Sequence, residues 1–92
     1  MLEHCFLELG FGYKIALKEI FAILPMEVHS VRELYLSYYH DKRLYRATKG
    51  RKAKSLLLLN NGTAFVSALT PEELNNNVLE LKRIERGLGI DG

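Results

Sequence analysis

The sequence predicts a small α+β domain, antiparallel and β-rich, with two helices in the order βββ-α-βββ-α. Three observations predict it. Short apolar, β-prone segments are punctuated by Gly10-Phe11-Gly12, Gly50 and Asn61-Gly62. One segment after residue 30 changes to an apolar period near 3.6, and Thr70-Pro71-Glu72-Glu73 has the chemistry of a helix start. The chain of 92 residues reads as one domain over residues 1–86 with a frayed tail at 87–92.

Phe6, Leu7 and Leu9 run up to the glycine turn at Gly10 and Gly12, which predicts a strand near residues 5–9. Ile15, Leu17, Ile20, Phe21, Ile23 and Leu24 continue to Pro25 in two further pieces, near 13–17 and 19–24. Ser30 followed by Glu33 fits a capping box, and Val31, Leu34, Tyr35 and Tyr38 then form one apolar stripe of a helix ending near Asp41. Residues 44–48 alternate as a strand does, and Gly50 permits a turn into the apolar strand at 55–60, so the pair reads as a hairpin. Asn61-Gly62 is the strongest hairpin signal, since both residues can take the positive φ of a type I′ turn before the strand at 63–68. Thr70 as N-cap, Pro71 at the first helical position and Glu73 as capping-box partner open the second helix. Leu74, Val78, Leu81 and Ile84 give that helix an apolar stripe, and Gly87 stops it.

Charge is distributed unevenly along this framework. Residues 42–54 carry seven basic side chains and no acidic one: Lys42, Arg43, Arg46, Lys49, Arg51, Lys52 and Lys54. The other 79 residues carry six basic and eleven acidic side chains, so the overall charge of +2 conceals a positive edge on an acidic body. A solvated surface usually mixes signs, whereas an edge of one sign suits a polyanion. Hydrophobic residues make up 48% of the chain. A chain this short removes only about 60–65% of its unfolded surface from water, so the apolar excess predicts a permanent subunit interface.

Several chemistries are set aside. Gly50-Arg51-Lys52-Ala53-Lys54-Ser55 ends in Lys-Ser, but Ala53 stands where a phosphate-binding loop needs its second glycine. Gly10-Phe11-Gly12 lacks the third glycine of a dinucleotide fingerprint, having Ile15 there. Asn61-Gly62-Thr63 matches a glycosylation sequon, but hairpin chemistry explains it in a chain without a secretion signal. His4, Cys5, His29 and His40 have no metal-ligand spacing, and no nucleophilic triad is evident. The expectation is therefore no enzyme activity, no cofactor, no metal, no small-molecule substrate and no membrane, in a cytoplasmic protein. Tyr39 and Tyr45 are left as possible stacking residues, while Tyr35 and Tyr38 are read as helix core or subunit contact.

Three motifs read together carry a resemblance: Leu9-Gly10-Phe11-Gly12, Ala47-Thr48-Lys49-Gly50-Arg51-Lys52-Ala53-Lys54, and Ser67-Ala68-Leu69-Thr70-Pro71-Glu72. In residues and spacing the chain resembles the bacterial RemA family, small DNA-binding regulators of extracellular-matrix genes, over residues 5–78. The second motif is the specific one. The resemblance implies that subunits close into rings and that Arg51, Lys52 and Lys54 grip DNA phosphates. Two positions depart from the family pattern. Glu19, beside Lys18, occupies a place where the family usually has arginine, and Arg46 occupies one where it tends to have an acidic residue.

Together with the basic run, the resemblance implies a nucleoid-associated, DNA-binding transcriptional regulator of biofilm genes that acts as a homo-oligomeric ring of more than four subunits on double-stranded DNA. The predicted DNA-binding residues are Arg51, Lys52, Lys54, Lys49, Arg46, Arg43 and Lys18, with Gly10, Gly12, Gly50, Asn61 and Gly62 as structural turns. The alternatives are a scaffold whose basic edge docks an acidic protein, and an RNA-binding variant that uses Tyr39 or Tyr45. Lys82, Arg83 and Arg86 lie beyond the best match and receive no assignment.

Overall fold

Leu56-Leu57-Leu58-Leu59 has no polar face because the strand that contains it is covered on both sides. The computed structural model describes residues 5–77 and orders them as β1 (Phe6–Gly10), β2 (Tyr13–Ala16), a short 3₁₀ turn (Leu17–Glu19), β3 (Ile20–Pro25), α1 (His29–His40), β4 (Leu44–Ala47), β5 (Ser55–Leu59) and β6 (Ala64–Ser67). A second helix, α2, begins at residues 71–77. β1 and β2 form a two-stranded hairpin, and the other strands form a four-stranded sheet in the order β3-β5-β6-β4.

Alternation along the central strands assigns their side chains to two cores. Leu56 and Leu58 of β5, with Ala64 and Val66 of β6, meet Val31 of α1. Leu57 and Leu59 point the other way, into Leu7, Leu9 and Ile15 of the hairpin and Leu74 of α2. The sheet is therefore the middle layer, between α1 and the hairpin. Leu7, Leu9, Leu56, Leu57 and Leu74 are fully buried, each contributing about 1.5–3 kcal/mol by leaving water. Two buried serines bind the layers together. Ser67 Oγ donates to the Leu9 carbonyl at 2.8 Å and accepts from the Leu69 amide at 3.1 Å, while Ser55 Oγ donates to the Leu69 carbonyl at 2.7 Å. Their hydroxyls are thereby satisfied within the core.

The α+β class and all six strands agree with the sequence reading, but the pairing does not. β4 pairs with β6, in parallel, and not with β5. Residues 42–54 therefore do not form a hairpin. Residues 48–54 are a crossover that carries the chain from the edge strand β4 past the end of β6 to β5. The sheet is consequently mixed, not purely antiparallel.

Turn chemistry differs in two places. Asn61 is absent from the positive-φ residues, while Gly62 has φ 88. Gly62 N–H donates to the Leu59 carbonyl at 3.2 Å, and Asn61 Oδ1 accepts from both the amide and the hydroxyl of Thr63, at 3.0 and 2.6 Å. This is a three-residue loop, a β-turn followed by a left-handed glycine, in place of a type I′ turn. The type I′ geometry is found at Lys49 and Gly50, with φ 53 and 80 and Arg51 N–H donating to the Thr48 carbonyl at 3.0 Å. In the β1–β2 turn, Phe11 and Gly12 also have positive φ, 57 and 86, beside Gly10 at 97.

The helix ends differ too. α1 is N-capped by Val28 without any side-chain bond, so Ser30 and Glu33 form no capping box; Glu33 lies 3.4 Å from His29 Nε2 instead. Thr70 and Glu73 do form one. The Thr70 amide donates to Glu73 Oε1 at 2.8 Å, and the Glu73 amide donates to Thr70 Oγ1 at 3.2 Å. The Thr70 backbone bond, aided by the Thr70 hydroxyl and by Lys54, holds the Glu73 carboxyl below its usual range. Its contribution is complete at neutral pH and is lost as pH falls through that lowered value. The reading of Val78, Leu81, Ile84 and Gly87, and of the 87–92 tail, lies outside the described residues.

α1 closes with both bonds of a Schellman motif. Lys42 N–H donates to the Tyr39 carbonyl and Arg43 N–H to the Tyr38 carbonyl, at 3.1 and 3.0 Å, with Lys42 at φ 60 where glycine is usual. Lys42→Gly should relieve that strain and stabilise the fold by about 0.5–1 kcal/mol. Thermal unfolding should show it as a rise of about 2–8 °C.

Candidate nucleic-acid interface

β3, β4 and β6 run in one direction and β5 runs against them. The segments after β3, after β4 and after β6 therefore converge with the start of β5 at one end of the sheet. That end receives the basic crossover. Its type I′ turn places Lys49 and Gly50 at the tip, and both ends of the segment are anchored. Thr48 is buried, Lys54 N–H donates to the Ser67 carbonyl at 2.8 Å, and the Lys54 carbonyl accepts from the Met26 amide at 3.0 Å. Between these anchors Lys49, Arg51, Lys52 and Lys54 are exposed. The Arg51 guanidinium lies 5.5 Å from the centre of the Phe11 ring, which ties the crossover to the β1–β2 turn.

Arg46 joins them from β4. Its Nη2 donates to Tyr35 Oη at 3.0 Å, and its guanidinium lies 6.0 and 5.8 Å from the Tyr35 and Tyr39 ring centres. Five of the seven predicted binding residues thus share one end: Arg46, Lys49, Arg51, Lys52 and Lys54. Among the described residues, none of the five has a carboxylate within ion-pair distance. Glu73 lies close enough for Lys54 to lower its pKa.

The remaining two stand apart. Asn60 Nδ2 donates to the Lys18 carbonyl and the Asn60 amide to the Glu19 carbonyl, both at 2.9 Å, which fixes Lys18 and Glu19 at the opposite end of β5. Four residue steps of β5 separate the ends by about 14 Å. Arg43 is at that far end as well, and it is structurally engaged. It donates to the Gly62 carbonyl at 2.7 Å, pairs with Asp41 at 3.1 Å and lies 4.8 Å from the Tyr38 ring centre. Within one protomer Lys18 and Arg43 do not extend the basic loop.

The converging segments enclose a concavity of about 690 Å³. Arg32 and Tyr35 of α1 line it together with Arg46, Arg51, Lys52 and Lys54. Arg32 lies outside the run of positive charge, so only the folded register brings it here. Tyr35, expected in the helix core or a subunit contact, packs its ring against the α1-side cluster; its hydroxyl also serves the site by accepting from Arg46. Of the two residues considered for stacking, Tyr45 is half exposed and lies against Phe65 with ring centres 5.1 Å apart, and Tyr39 stacks on Tyr35 at 6.4 Å.

Sequence comparison gives this geometry a context. A family profile described as RemA-like, extracellular matrix regulatory protein A-like, matches residues 6–78. A protein of Leptospira biflexa is 33% identical over 81 residues, covering 88% of this chain and 80% of its own length. A protein of Fervidobacterium nodosum is 30% identical over 83 residues, covering 89% of each chain, and one of Thermosynechococcus vestitus is 32% identical over 68, covering 74% of this chain and 88% of its own. All three are provisionally named regulatory proteins.

Proposed function

The chain belongs to the RemA-like family of regulatory proteins, and from that footing we propose that it regulates transcription by binding double-stranded DNA through the crossover loop at residues 48–54. The observation that carries this reading is the five-cation end of the sheet, where Arg46, Lys49, Arg51, Lys52 and Lys54 have no carboxylate partner among the described residues. A rigid loop anchored at Thr48 and Lys54 suits phosphate binding because little side-chain and backbone order must be gained on contact. Phosphate contacts position a protein without specifying a sequence, so preference for a site arises from Arg51 reaching a base edge or from DNA bending. Control of extracellular-matrix and biofilm genes, at the nucleoid in the cytoplasm, follows from the family resemblance. Among the described residues no helix is long and apolar enough to cross a membrane.

A single loop is a weak grip, and we propose that a homo-oligomeric ring of more than four subunits multiplies it. Two sheet edges that carry no further strand among the described residues support this reading. β3 and β4 bound the sheet on opposite sides, and a head-to-tail ring needs two different surfaces on each subunit. β3 also carries a bulge between Ile20 and Ala22 that turns Phe21 outward, 72% exposed.

Fluorescence titrations with duplex DNA and with single-stranded RNA of equal length test the function. Duplex should bind about 10-fold or more tighter, as expected where backbone spacing rather than base stacking directs contact. Tighter RNA binding would transfer the role to the exposed tyrosines. Binding to neither would leave the basic end for an acidic protein.

A further inference from the structure

The concavity behind the basic loop has features that a duplex backbone does not require. Its volume of about 690 Å³ lies within the range of small-molecule sites. Among the described residues five cations line it, Arg32, Arg46, Arg51, Lys52 and Lys54, against one carboxylate, that of Glu27. That imbalance raises the local potential and favours a compact ligand with more than one negative charge. α1 begins beside it with no acidic residue in its first turn and no side-chain cap, so the helix adds to the positive field.

The cations are also partly pre-positioned. Arg46 is held on Tyr35 and Tyr39, Arg51 against Phe11, and Arg32 Nη2 donates to the Glu27 carbonyl at 3.3 Å. The rest of the wall is mostly apolar, Pro25, Met26, Ala53 and Pro71 with the Tyr35 ring, and includes Thr70. Inorganic phosphate would use the cations and leave that wall idle. A molecule with clustered negative charge and a flat, weakly polar ring uses both.

We propose that this concavity binds a nucleoside polyphosphate and that its occupant excludes DNA, because Arg51, Lys52 and Lys54 are shared with the loop. The exclusion rests on the DNA-binding reading; the nucleotide site itself does not. Linkage makes the antagonism reciprocal: DNA lowers the affinity for the nucleotide by the same factor.

Calorimetry on the whole chain with ATP and, separately, tripolyphosphate tests the site, and displacement of labelled duplex by ATP tests the exclusion. ATP should bind one per chain and about 10-fold tighter than tripolyphosphate, within what base stacking on an aromatic ring supplies. Tyr35→Leu should remove that advantage, bringing ATP down to the affinity of tripolyphosphate; because Tyr35 also holds Arg46, tripolyphosphate and duplex should both weaken in this variant, by less than ATP does. Arg32→Ala alters an exposed side chain, so it keeps the test available if the tyrosine variant folds poorly, and it should weaken ATP several-fold. Equal affinity for the two anions, or wild-type ATP affinity in folded Tyr35→Leu or in Arg32→Ala, overturns the site. ATP binding without any duplex binding would instead overturn the DNA reading and leave the nucleotide site standing. Duplex binding that saturating ATP does not displace overturns the exclusion.

Discussion

Replacing Arg51 and Lys52 together with alanine should lower the melting temperature by about 2–8 °C and keep the oligomer mass of the wild type while severely weakening duplex binding. Both side chains are exposed on the crossover loop, and exposed substitutions usually change stability by no more than about 0.5 kcal/mol each. Arg51 loses in addition its contact with Phe11, worth about 0.5–1 kcal/mol at an exposed site. Binding responds on a different scale. If each loop neutralises about three phosphates, the double variant retains about one, and the salt slope falls by about two units per engaged loop. Duplex titration with a thermal melt on the same samples checks both halves. Wild-type affinity in the double variant at physiological salt would remove the loop from the mechanism.

The second large effect is expected at Phe21. Phenylalanine at 72% exposure on a bulged edge strand contributes little to its own subunit's core. Phe21→Asp should therefore preserve the fold but place a charge within the proposed subunit contact, at a cost too large for a marginal interface to bear. Light scattering should show the ring mass falling toward that of a single chain. Duplex affinity should fall with it by about 10²–10⁴, the range that multivalency contributes. An unchanged mass would place the subunit contact elsewhere.

Strand positions were legible in the sequence because each rests on local chemistry. Gly10 and Gly12 punctuate the hairpin, and the Thr70–Glu73 box opens α2 in the predicted way. The partner of β4 was not legible. Alternation in residues 44–48 indicates a strand and a buried face, but β6 and β5 offer it equivalent apolar edges, and short separation in sequence favours the wrong one. The same limit applies at the left-handed residues. Lys42 and Lys49 adopt positive φ that their side chains disfavour, held there by the Schellman bonds and by the turn bond to Thr48. Ser30 and Glu33 have capping-box spacing, yet the helix begins two residues earlier, with Val28 as N-cap, and Glu33 is drawn to His29.

The candidate site was half legible for a related reason. Counting charge along the chain finds Lys49, Arg51, Lys52 and Lys54, which are close in sequence and remain close in space. It includes Arg43, which the fold uses to brace the Gly62 turn, and it omits Arg32, which α1 delivers to the same concavity. Glu19, with its sign opposite to the family pattern, lies at the far end of β5. Folding thus separates Glu19 from the loop within each protomer, while Arg46, the other departure, stands beside it.

The most direct test of the central claim is wild-type affinity for duplex DNA measured across a fourfold range of monovalent salt. Three loops engaged on one duplex predict a slope of about −8 and a loss of several ten-thousandfold; one loop predicts about −2.7 and a loss of about 40-fold. Either value supports phosphate binding by the crossover loop and reports how many subunits take part. Absence of duplex binding, or a slope shallower than about −1, would contradict the account.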